Sequence, residues 1–176
     1  MTELVINNLT RFDTFLFYRI FAWTGRKIFD RLFYFISRTG DGYWYGLFAL
    51  VLVLFGAAEQ KRMIYAGLVA FCFEIPAYLL LKKKIKRSRP FEILHGIRSL
   101  IHPPDKYSFP SGHTAAAFVM ACIFSQLLPE LNWLFFGWAS LVGFSRVYLG
   151  VHYPTDIFAG LSLGVISFNM GLWVIL

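Results

Sequence analysis

Two histidines and an aspartate stand at spacings suited to moving a phosphoryl group. His152 precedes Asp156 by four residues, and Pro154 between them marks the start of a helix. If the chain is helical from Tyr153 onward, the carboxylate folds back towards the imidazole. There it accepts the Nδ1 proton, fixes the tautomer and leaves Nε2 as a nucleophile. A histidine that attacks phosphorus forms a covalent phosphohistidine. His113 opens a different apolar segment and is suited to protonate a leaving oxygen and then to activate water.

A phosphoryl group in transit spreads negative charge over its equatorial oxygens, so the chemistry needs fixed cations and N–H donors at those oxygens. Lys82, Arg89 and Arg146 supply positive charge, and the two arginines carry planar donor forks that match phosphate. Ser111, Gly112 and His113 open a helix rich in Ala and Phe, so their amides would form an anion site, with Gly112 leaving the approach free of a Cβ. Each residue also has an ordinary explanation. Lys82 ends an apolar segment, where lysines snorkel to the surface, as do its neighbours Lys83, Lys84, Lys86 and Arg87. Histidines at helix ends are commonly caps, and an acid at a helix start stabilises the dipole. Eight such residues in joint register outweigh the separate explanations. His95 and His102, with Glu92 or Asp105, match no metal-ligand spacing, and the scheme requires no metal or cofactor. Glu74 lies inside an apolar segment beside Pro76; it reads as a stabiliser of the kink expected there or as a neutraliser of a nearby cation, and stays outside the site.

The elements that must position these residues are written in the composition. The chain is 57% hydrophobic and 15% charged, against about 25% charged for soluble domains, so the bilayer is the natural solvent. Its 176 residues form one domain, 1–176. No charge falls from Gly42 to Ala58 or from Ile157 to Leu176, runs that approach the roughly 20 residues a spanning helix needs. Five clear spans are expected: Gly42–Ala58, Met63–Leu81, His113–Pro129, Trp133–Ser145 and Pro154–Leu176. Residues 9–38 read instead as two amphipathic helices at the membrane interface, because each charge near the bilayer centre costs about 2.5–3.5 kcal/mol on insertion scales; a short sixth span there is the alternative. In the first of them Phe12, Phe15, Leu16, Ile20 and Trp23 share the apolar face, with Arg11, Asp13 and Arg19 outside it. The fold class is therefore all-α, a polytopic transmembrane bundle over 42–176 with short turns between antiparallel neighbours. Gly160 and Gly164 form a G-x-x-x-G pair for close helix packing. Cys72 and Cys122 read as small buried hydrophobes, and no cleavable signal peptide is visible. Alternating the loops places 82–111 and 146–154 on one membrane face, with every residue of the site.

The net charge of +7 is concentrated rather than spread: eight of the 17 Lys and Arg residues lie from Lys82 to Lys106. That argues for an anionic ligand or headgroup, not for nucleic acid. Three blocks now stand in order: Lys82-x6-Arg89-Pro90, Pro110-Ser111-Gly112-His113, and Ser145-Arg146-x5-His152-x3-Asp156. Together they resemble the three-part signature of the type 2 phosphatidic acid phosphatase family, with each signature position filled. The resemblance implies His152 as nucleophile, Asp156 as its orienter and His113 as acid, with phosphate bound by Lys82, Arg89, Ser111, Gly112 and Arg146. It implies a lipid phosphate or diphosphate as substrate, among them undecaprenyl diphosphate, phosphatidylglycerophosphate and lipid A 1-phosphate. It also implies a bacterial inner membrane as location, with the site on the periplasmic or extracellular side. Two other classes are weighed beside it. Vanadate-dependent haloperoxidases share the pocket signature but are soluble and larger. A non-catalytic anion- or lipid-binding membrane protein would have lost His152, His113 or Asp156.

Overall fold

The computed structural model describes residues 2–176, with side chains described from Thr10 onward. Leu9, the first residue of the expected amphipathic stretch, has its side chain outside the described residues. The described chain is all helix, without a strand. In order it runs α1 (Thr2–Phe21), α2 (Lys27–Thr39), α3 (Gly42–Phe55), α4 (Ala58–Ile85), a short α5 (Pro90–Ile93), α6 (Gly112–Leu127), α7 (Asn132–Tyr148) and α8 (Pro154–Ile175), with one 3-10 turn at Pro129–Leu131.

The centre of the bundle is α6, with Ala115, Ala117, Phe118, Val119, Met120 and Ala121 all buried. Helix α8 lies against α6 and α4 at backbone distance because its contact stripe is glycine. A Cβ on Gly160 would stand 2.5 Å from the Ser111 carbonyl oxygen, one on Gly164 2.4 Å from that of Ala115, and one on Gly171 2.3 Å from that of Ala66. In lipid the hydrophobic effect does not press helices together, so such close packing must. The G-x-x-x-G expectation therefore holds, and Gly171 continues the stripe onto α4.

Each of the five expected apolar segments is a helix, but their ends differ. Helix α4 continues past Leu81 to Ile85 with Pro76 inside it, and α3 stops at Phe55. Helix α7 runs past Ser145 to Tyr148, so Arg146 is on a helix and not in the loop where it was expected. Among the described residues, only α4 and α8 are long and apolar enough to cross a membrane by length and composition; α3 and α6 are shorter apolar helices. The 28 residues of α4 correspond to about 42 Å, more than the ~30 Å hydrocarbon core.

The N-terminal stretch forms the two helices foreseen, but α1 presents a different face. Phe12, Phe15 and Trp23 are exposed, while Asp13 and Phe17 are buried. An apolar side chain can be left facing lipid, whereas a carboxylate must be turned towards a partner. Cys72 is likewise exposed, not buried as expected, while Cys122 is buried; both are free thiols.

Candidate active site

Helix α7 ends in a tight reversal that delivers His152. Gly150 has φ +82°, which a residue with a Cβ rarely adopts. The amides of Val151 and His152 then both donate to the Arg146 carbonyl, at 3.2 and 3.3 Å. Pro154 starts α8, and the Asp156 Oδ2 caps it by accepting from the Tyr153 amide at 2.8 Å. Across from this turn the Ser111 amide donates to the Asp156 carbonyl at 3.0 Å. The starts of α6 and α8 are thereby docked together.

These starts and the ends of α4 and α7 enclose a cavity of about 200 Å³ whose wall includes Glu74, Lys82, Arg89, Gly112, Arg146 and His152, along with His113. The sequence placed six of its eight residues on this wall. Asp156 stands behind His152. Ser111 caps α6, its Oγ accepting from the Thr114 hydroxyl at 2.8 Å, and it does not line the cavity. Gly112 does, and its missing Cβ also makes room for the Tyr78 ring, which would lie 2.8 Å away.

His152 is almost wholly buried. Burial pushes its imidazole down to about 3, with Arg146 and Arg89 adding to the effect and Asp156 opposing it. The ring is thus neutral near pH 7, the form in which a nitrogen lone pair can attack. Its Nε2 is 3.5 Å from Nη1 of Arg89. Its Nδ1 lies 3.5 Å from Asp156 Oδ2 but has no aligned hydrogen-bond partner. The expected dyad is in contact without a formed hydrogen bond, a spacing that commonly tightens when reacting charge arrives.

The cations are held in place by groups the sequence reading did not assign. Asp105, considered there only as a metal ligand, joins Lys82 at 2.5 Å and Arg89 at 2.6 Å through Oδ1, and accepts from the Tyr78 hydroxyl at 2.6 Å through Oδ2. Burial alone would raise the pKa of this carboxyl, but hydrogen bonds from Lys82 and Tyr78 and the two positive charges hold it at about 2. Arg146 donates to Ser37 of α2 at 2.7 Å and keeps a buried Nε without a partner among the described residues. His113 Nε2 is 3.1 Å from Oδ1 of Asp41, which also pairs with Arg38. Arg87, expected only to snorkel, bonds Asp156. Glu74, left outside the site, is buried on the cavity wall. Its position inside an apolar helix was the one signal that singled it out. The described residues contain no cluster of three His, Cys, Asp or Glu placed to hold a metal.

Two larger spaces adjoin the cavity. One of about 990 Å³ shares Pro104, Gly112, His113 and Arg146 with it and is otherwise bounded by the α2–α3 turn and the 100–104 loop. The other, about 380 Å³, is an apolar groove among α3, α4 and α6 that meets it at Glu74 and Ile75.

Comparison with known proteins fits this arrangement. The sequence model of the PAP2 superfamily matches residues 60–175. Undecaprenyl-diphosphatase BcrC of Bacillus subtilis is 31% identical over 69% of this chain and 63% of its own length. The chain thus spans just under two thirds of that curated relative. The crystal structure of Aquifex aeolicus LpxE superposes with a TM-score of 0.80 at 29% identity, covering 90% of this chain and 93% of the other. That of a transmembrane PAP2-type phosphatidylglycerolphosphate phosphatase from Bacillus subtilis gives 0.75 at 25% identity, covering 96% and 86%. With its signature residues gathered around one buried histidine and the match reaching from α4 to the end of α8, the chain belongs to the PAP2 superfamily.

Proposed function

We propose that this protein is a membrane-embedded phosphatase that removes phosphate from a lipid phosphate or diphosphate through a phosphohistidine on His152. The observation that carries the reading is the cavity itself: a neutral buried histidine faces three fixed cations, with a second histidine on the same wall. The Nε2 of His152 attacks phosphorus, and the bond from phosphorus to the leaving oxygen breaks as His113 gives that oxygen a proton. Water then attacks the phosphohistidine, His113 takes the proton back, and inorganic phosphate leaves with His152 restored. Lys82, Arg89 and Arg146, with the first-turn amides at Gly112 and His113, hold the equatorial oxygens while their charge grows. Asp156 orients the imidazole and stabilises it when phosphorylated.

A lipid substrate accounts for the two adjoining spaces. The apolar groove takes a hydrocarbon tail, and the wider space, whose wall carries Arg38, Asp41, His102, His113 and Arg146, takes a headgroup. A polyprenyl or glycolipid diphosphate is the favoured class, supported by the BcrC relative. The whole chain acts as one domain, 1–176, with α3, α4, α6, α7 and α8 as five spans and α1 and α2 along the interface. Lys61 and Arg62 mark the cytoplasmic side of a bacterial inner membrane, which puts the site on the periplasmic or extracellular face. Purified enzyme should release phosphate from at least one of undecaprenyl diphosphate, phosphatidylglycerophosphate, phosphatidate and lipid A, with EDTA present. His152→Ala should lower that rate by about 10⁴-fold or more, as loss of a nucleophile does. A wild-type rate in His152→Ala contradicts the mechanism.

A further inference from the structure

Asp13 belongs to α1, outside the stretch matched by the family, and is buried to 1% exposure. A carboxylate so placed needs compensation, and it has three donors. Arg87 Nη2 reaches Oδ2 at 2.5 Å, the Thr155 amide reaches Oδ1 at 3.0 Å, and the Thr155 hydroxyl reaches Oδ2 at 2.5 Å. Arg87 turns its other amino group, Nη1, to Asp156 Oδ1 and to the Thr155 hydroxyl, both at 2.7 Å. Its guanidinium lies over the Tyr153 ring, 4.0 Å from the centroid. The result is a carboxylate–guanidinium–carboxylate bridge from α1, through the loop after α4, to the first turn of α8. Asp156 has Oδ1 committed to Arg87 and Oδ2 to the Tyr153 amide. Oδ2 is also the oxygen 3.5 Å from Nδ1 of His152, so Arg87 sets the angle at which it is offered.

We propose that Asp13 and Arg87 are positioning residues for the nucleophile: Asp13 fixes Arg87, Arg87 fixes the Asp156 carboxylate against His152, and α1 is thereby a working part of the active site. The inference rests on the reading of His152 as nucleophile. A bridge that only pinned α1 to the bundle would contribute to stability and leave turnover alone. A positioning bridge acts on kcat and on the basicity of His152, because Arg87 competes with the imidazole for the charge of Asp156. The other groups facing His152 across the cavity are Glu74, Tyr78 and Lys82 from α4, Arg89 and Asp105 from the loops, His113 from α6 and Arg146 from α7.

The test measures phosphate release from undecaprenyl diphosphate by the full chain in detergent, with thermal midpoints alongside. Asp13→Asn and Arg87→Met should lower kcat about 10–100-fold, as loss of outer partners does at other sites, with KM within about twofold. Arg87→Lys should recover part of the loss. The acid limb of kcat/KM should move to higher pH in Arg87→Met. Tyr148→Phe is the control for pinning: it removes the 2.7 Å bond from the Tyr148 hydroxyl to Asp30, away from the site, and should lower only the thermal midpoint. If Arg87→Met fails to fold, the near-isosteric Asp13→Asn decides. Wild-type kcat in Asp13→Asn, or a kcat loss matched in Tyr148→Phe with an unmoved acid limb, overturns the inference. His152→Ala in the same assay separates the two readings. If it is inactive while Asp13→Asn and Arg87→Met are normal, only the positioning role fails; if it is as active as wild type, the nucleophile reading fails.

Discussion

His152, the proposed nucleophile, shows how surroundings set the charge state of an ordinary side chain. Burial among Arg89 and Arg146 keeps it neutral, at the cost of folding stability in acid. The folded histidine titrates near 3 and the unfolded one near 6.5, so between those values the unfolded chain binds more protons. Its contribution is complete above about pH 6.5 and is lost as pH falls towards 3. The thermal midpoint of wild type should therefore fall more between about pH 7 and about pH 4.5 than that of His152→Gln, which cannot take up that proton. Equal slopes in the two proteins would contradict the buried neutral state. Asp105, lowered from 3.8 to about 2 by folding, also loses its contribution in acid, but it does so in both proteins and cancels from the comparison. At this scale the sequence was informative where chemistry and local spacing coincide, as at His152 and Asp156. It took Arg87 for a snorkelling cation, left Asp13 outside the buried face and did not single out Asp41, because their contacts depend on partners 69 to 74 residues away. No local pattern distinguishes an arginine that snorkels from one that crosses the site.

At the scale of elements, the site depends on how closely α8 lies against α6. The Ser111 amide meets the Asp156 carbonyl only because Gly160 and Gly164 let the two backbones approach. Gly164→Val should force the helices apart, costing about 1–3 kcal/mol of stability as overpacking does and lowering turnover further than the stability loss alone explains. The check is the thermal midpoint measured beside kcat; a variant with both values unchanged would show that this contact does not set the site. The glycine pair was legible because its period matches one helix face. The ends of the helices were less so. Arg146 was read as a loop residue because a charge after an apolar run looks like a terminus, yet α7 continues to Tyr148 with Arg146 bonded to Ser37 of α2. Similarly, α1 turned Asp13 inward and Phe12 outward, since in a bilayer the buried face is chosen by polar pairing as much as by hydrophobicity.

For the whole molecule, composition alone identified lipid as the solvent, and exposed Phe55, Leu80 and Trp173 agree with that. Span number was less legible, because α3 and α6 are apolar but short and, among the described residues, only α4 and α8 pass on length and composition together. The proposed orientation makes a direct prediction. With Cys72 and Cys122 replaced by serine, a cysteine introduced at Arg98 should react with a membrane-impermeant maleimide added to intact cells, and one introduced at Gln60 should not. Labelling of Gln60→Cys alone would invert the topology.

The nucleophile itself is tested most directly by trapping the intermediate. Enzyme mixed briefly with undecaprenyl diphosphate labelled in its terminal phosphate, then quenched in base, should carry an acid-labile, base-stable label on the peptide containing His152. His152→Ala should carry none. A label on His113 or on any other residue, or an equal label in His152→Ala, would contradict the assignment of His152 as the attacking group.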